Sequence, residues 1–73
     1  MRKTIYSEEY KYLVQQLRKA RESAKLKQED VAKLLDLDQS FISRLERGQY
    51  RIDVIQLQQF AKLYKKTLNY FIK

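Results

Sequence analysis

The sequence predicts an all-α fold, a compact bundle of five short helices with no sheet. The 73 residues contain no proline and a single glycine, so almost nothing punctuates helix. Apolar residues recur at three- and four-residue steps in successive stretches, while strand-like alternation and internal repeats are missing. Serine, aspartate and threonine stand just ahead of several of those stretches, where helix caps belong.

Residues 1–6 (MRKTIY) read as a basic entry arm and 7–73 as the folded domain. Ser7 is placed to cap the first helix, with Glu8 and Glu9 where the helix dipole favours negative charge. That helix should run to about Ser23 and bury a stripe of Tyr10, Leu13, Val14, Leu17, Ala20 and Ala24. Leu26 should plug the gap to the second helix, which begins near Gln28 and turns Val31, Leu34 and Leu35 inward. Ala32 is small where the second and third helices must approach closely. Leu37 sits in the turn between them, Asp38 is the expected N-cap of the third helix, and Gly48 its left-handed C-terminal cap. Asp53 should cap a fourth helix with Val54, Leu57, Phe60, Ala61 and Tyr64 as its stripe. Thr67 should cap a short fifth helix that carries Leu68 and Phe71 back onto the core.

Composition narrows the function. Without cysteine or histidine, disulfides, the usual zinc sites and Ser-His or Cys-His nucleophile pairs cannot be built. One glycine cannot supply a phosphate-cradling loop, so we expect no enzyme, no cofactor and no metal. No apolar run approaches the roughly 20 residues that span a bilayer, and no signal-peptide pattern opens the chain. The expectation is a soluble cytoplasmic protein without membrane attachment. A net charge of +7 predicts attraction to a polyanion, which nucleic acid and an anionic membrane would both satisfy.

Residues 28–48, QEDVAKLLDLDQSFISRLERG, sharpen this. At about 100° per residue, Phe41, Ile42 and Leu45 fall on one side of the third helix, and Gln39, Ser40, Ser43, Arg44 and Arg47 on the other. That outer face has two arginines, a glutamine, two small hydroxyls and no carboxylate, the side-chain types that hydrogen-bond base edges and phosphates. A merely solvated face would have the same polarity, so the composition alone leaves both readings open.

The order of the residues goes further. Gln28-Glu29-Asp30-Val31-Ala32, Leu37 and Ile42-Ser43-Arg44-Leu45-Glu46-Arg47-Gly48, in step, resemble the helix-turn-helix of the Cro and phage-repressor (XRE) family. The resemblance extends from about Leu17 to Ile72, through Leu17-Arg18, Ala20-Arg21, Asp53-Val54, Leu57, Ala61-Lys62, Thr67-Leu68 and Phe71. It implies a lambda-repressor-like DNA-binding domain, prokaryotic or phage-encoded, acting as a transcriptional regulator on double-stranded DNA as a homodimer. Residue by residue, it implies that Gln39, Ser40, Ser43 and Arg44 read bases, and that Lys27, Gln28, Arg47, Gln49, Tyr50 and Arg51 contact phosphates. Arg21 and Glu46 match a family ion pair beneath the motif. Ile55, Leu63, Tyr70 and Ile72 are candidates for the dimer face, although Leu63 and Ile72 could equally enlarge the core.

Some positions depart from the family pattern. Lys25, Asp36 and Lys65 stand where glycine is usual at a left-handed turn, and Lys66 where an apolar residue is usual. Lys27 replaces a Ser or Thr cap, and Asp38 puts a carboxylate at the groove-facing start of the third helix. A repressor, a restriction–modification controller and an antitoxin all fit the resemblance, with a toxin or an anti-repressor as a protein partner. The reading from another class is a protein-interaction module that kept the fold but lost DNA binding.

Overall fold

A computed structural model describes residues 7–73; the expected basic arm at 1–6 lies outside the described residues. Four α-helices follow in order, α1 (Glu8–Ser23), α2 (Gln28–Leu35), α3 (Gln39–Glu46) and α4 (Val54–Tyr64), and no strand occurs among the described residues. Where a fifth α-helix is expected, Leu68–Phe71 form a 3-10 helix instead. Its three-residue period sets Leu68 directly in line with Phe71, so both turn to the core within one turn. Thr67 holds the N-cap position of that helix but contributes no side-chain bond.

Starts and stops follow local chemistry. The Ser7 hydroxyl accepts from the Tyr10 amide at 3.1 Å, and the Asp53 carboxylate from the Gln56 amide at 2.7 Å. Lys27 has no acceptor for capping α2, so the bond runs the other way: its own amide donates to the Asp30 carboxylate at 2.8 Å. Asp38 holds the N-cap position of α3 without a side-chain bond; its backbone carbonyl takes the Phe41 and Ile42 amides.

All four α-helices end in the same paired closure. The amides of Leu26, Leu37, Gln49 and Lys66 reach back five residues to Arg21, Ala32, Arg44 and Ala61, each over a tighter inner bond. The residue inside each loop is left-handed: Lys25 (φ 60°), Asp36 (φ 57°), Gly48 (φ 78°) and Lys65 (φ 59°). Lys66 follows the last of these with its ammonium 4.7 Å from the Tyr70 ring centroid, a cation–π contact where an apolar contact is usual.

Leu17, Ala20, Val31, Ala32, Ile42, Leu45, Leu57, Phe60, Ala61, Tyr64 and Phe71 form the core. Three residues expected in the buried stripes are exposed. Leu34 is 60% exposed. At 100° per residue it lies roughly 100° from the centre of the arc shared by Val31, Ala32 and Leu35. Val54 opens α4 about 70° off the centre of that helix's buried arc and is exposed. Ala24 falls just past the end of α1 and is also exposed. In their place α1 buries Gln16, whose side-chain amide donates to the Tyr70 carbonyl at 3.1 Å and ties α1 to the 3-10 helix.

Candidate nucleic-acid interface

Helix α3 is eight residues long, on the order of 12 Å by its rise per residue, comparable to the width of a major groove. Ile42 and Leu45 are fully buried behind it. Gln39, Ser40 and Arg44 are exposed on its outer side and Ser43 is half-buried. Arg47, Gln49, Tyr50 and Arg51, beyond the helix end, are exposed, as is Lys27 ahead of α2. The base-facing and backbone-facing candidates thus share access to solvent from α3 and the segments flanking the two motif helices.

Beneath this face lies an ion pair with side-chain exposures of only 12% for Arg21 and 6% for Glu46. Arg21 Nε donates to Glu46 Oε2 at 2.7 Å and Nη2 to Oε1 at 3.0 Å, a two-pronged match of guanidinium to carboxylate. Arg21 Nη1 donates to the Leu26 carbonyl at 3.0 Å, so the same side chain also holds the turn after α1. The Glu46 hydrogen bond lifts the Arg21 pKa above the usual arginine value, against burial, which pulls it down. Tyr64, close by on α4, has its hydroxyl pKa raised chiefly by burial and further by the Glu46 charge, with Arg21 opposing.

Gln28 is half-buried, and its amide nitrogen donates to Glu46 Oε1 at 3.0 Å. One of its two amide hydrogens is therefore spent within the protein, leaving the second for any outside acceptor. This bond escaped sequence reasoning because Gln28 and Glu46 sit at opposite ends of the motif.

A second missed feature surrounds Tyr50. Its ring stacks on Phe41 with centroids 5.3 Å apart and 25° between planes. Arg44 Nη1 donates to the Tyr50 hydroxyl at 3.0 Å, with the guanidinium carbon 6.0 Å from the ring centroid. The Tyr10 hydroxyl, from α1, donates to the Tyr50 backbone carbonyl. Burial raises the Tyr10 pKa, while the Ile52 backbone and Arg51 pull it down. Phe41, expected to face inward, is half-buried and serves both the core and this stack. No helical spacing links positions 44 and 50; the left-handed turn at Gly48 folds the chain back and brings them together.

The four dimer-face candidates are not alike. Ile55 and Ile72 are 61% and 56% exposed. Leu63 and Tyr70 are half-buried and pack against the core. Among the described residues no group of side chains has metal-ligand geometry, and no helix is long and apolar enough to cross a membrane.

No curated protein matches the chain. A helix-turn-helix family model matches residues 17–71, well over half its length and all four α-helices in whole or part. The matched span contains the α2–α3 pair, its exposed polar face and the Arg21–Glu46 tie beneath it, and the chain belongs to the XRE family of helix-turn-helix proteins, a family of DNA-binding regulatory domains.

Proposed function

We propose that this protein is a sequence-specific regulator of transcription, acting as a repressor, that binds double-stranded DNA as a dimer with α3 in the major groove. The observation that carries this is the α3 outer face: Gln39, Ser40 and Arg44 exposed over an anchor of Ile42 and Leu45. Gln39 offers the donor and acceptor pair that adenine N6 and N7 require, and Arg44 the fork that fits guanine O6 and N7. Asp38, whose carboxylate makes no cap bond, is left to accept from a cytosine N4 amine. Ser43 reaches the groove edge. Lys27, Arg47 and Arg51 supply cations for the phosphates, with Gln28, Gln49 and Tyr50 as neutral donors.

One motif helix reads few base pairs, so specificity calls for two copies on paired half-sites about 34 Å apart. Exposed Ile55 and Ile72 are the better candidates for joining them, because Leu63 and Tyr70 are already committed to the core.

The test is duplex affinity against salt. Three phosphate-facing cations per copy make six per dimer, for a log–log slope of about −5 and a loss of roughly 10³-fold between 50 and 200 mM salt. Lys27→Ala should weaken all duplexes alike and flatten the slope, whereas Arg44→Ala should relax preference among sequences. Affinity indifferent to salt, or no duplex binding at all, would leave the fold to a protein-interaction role.

A further inference from the structure

We infer that Tyr50 is a specificity-determining positioning residue: it presets the Arg44 guanidinium for its base. This rests on the reading of Arg44 as a base-contacting side chain. Arginine on an exposed helix face ordinarily samples many rotamers, and that freedom is lost on binding. Here Arg44 is held at two points of one residue. Its Nη1 donates to the Tyr50 hydroxyl at 3.0 Å, and its guanidinium carbon lies 6.0 Å from the ring centroid. Tyr50 is itself fixed on both sides, by the Phe41 ring at 5.3 Å and by the Tyr10 hydroxyl on its backbone carbonyl. Behind Phe41 is the core. A continuous chain of contacts therefore runs from α1 and the core, through Phe41 and Tyr50, to the tip of Arg44.

The bond leaves both partners with unused capacity. Arg44 has five N–H donors and gives one to Tyr50, so four remain, enough for a two-pronged contact with a guanine edge. The Tyr50 hydroxyl accepts from Arg44 and keeps its own proton for a phosphate oxygen. A tyrosine that only touched phosphate would need no contact with Arg44. The geometry instead couples backbone position to base reading through one hydroxyl.

The experiment compares the sequences that the intact chain and its variants select from a random duplex pool. Arg44→Ala should erase preference at one base position. Tyr50→Phe keeps the ring and its stack on Phe41 but removes the hydroxyl. It should weaken preference at that same position by about 3- to 10-fold, with the salt slope and the melting temperature unchanged. Tyr50→Ala and Phe41→Leu, which remove the platform, should weaken it further at that position.

If Tyr50→Phe lowers affinity for every sequence equally and leaves the selected motif intact, Tyr50 is a phosphate contact only and the proposal is overturned. If Tyr50→Phe sharpens preference or raises affinity, Tyr50 restrains Arg44 from the groove, which overturns it too. If Arg44→Ala leaves the motif unchanged, the base-reading role of Arg44 has failed, and the positioning role falls with it.

Discussion

Glu46 holds three side-chain donors from two other helices: Arg21 Nε and Nη2 from α1 and Gln28 Nε2 from α2. Its carboxylate is almost out of water, so removing a partner strands a charge rather than merely deleting a bond. Arg21→Ala should therefore cost about 3–5 kcal/mol, measured by chemical denaturation; a variant as stable as the parent would show that the pair contributes nothing. Arg21 is charged at any accessible pH, so this contribution should hold across the neutral range. Lys25 presents the opposite situation, a residue that costs stability. Left-handed backbone strains an L side chain by roughly 1–2 kcal/mol, and glycine returns part of that gain as unfolded-state entropy. Lys25→Gly should thus stabilise by about 0.5–1 kcal/mol net, raising the melting temperature by several degrees. Asp36→Gly should gain less, because aspartate tolerates this conformation better than lysine does. No rise for Lys25→Gly would mean that the turn has a second support beyond its backbone bonds. At Gly48 an added Cβ would meet only Val14 Cγ2, at 4.0 Å, so conformation and not space favours glycine there.

At the scale of elements, α4 carries a titration into the core. Tyr64 is buried with its hydroxyl pKa raised, while in the unfolded chain it ionises near the ordinary value of 10.0. A raised folded-state pKa gives stability that is complete below pH 10 and lost as the unfolded chain begins to shed its proton. Between pH 10 and 11 stability should fall with a slope approaching 1.4 kcal/mol per pH unit from this group, and Tyr64→Phe should blunt that fall. An identical alkaline profile for parent and variant would contradict the burial argument. The elements also show what the sequence made legible. Ser7, Asp38 and Asp53 mark the starts of α1, α3 and α4, and Gly48 the end of α3, because caps are local chemistry, whereas the left-handed turns at Lys25, Asp36 and Lys65 are legible only through the family pattern. Leu34 faces solvent against expectation because two turns of helix give too few apolar positions to fix the centre of a buried arc. Leu68 and Phe71 are three apart, a spacing that 3-10 and α geometry share, so the sequence does not separate the two for the last helix. Arg21–Glu46 came from the motif, whereas Arg44–Tyr50 and Gln28–Glu46 depend on how the chain returns on itself.

The described residues span 36 × 24 × 20 Å, and the chain carries a net charge of +7. Those dimensions suit two copies side by side on successive major grooves of one duplex face, which repeat about every 34 Å. Leu34 on α2, Ile55 on α4 and Ile72 just after the 3-10 helix are exposed apolar side chains available to a second copy. In that arrangement Ile55→Lys should lower duplex affinity by weakening the dimer, with a larger monomer fraction at micromolar concentration seen by ultracentrifugation. A dimer as tight as the parent's would remove Ile55 from the interface. In the proposed complex α3 reads base edges with Gln39 and Arg44 while Ile42 and Leu45 anchor it. Selection of bound sequences from a random duplex pool tests that most directly. A palindromic motif is expected, with half-sites one helical turn apart, about 10 base pairs centre to centre. Recovery of sequences no different from the starting pool would contradict it.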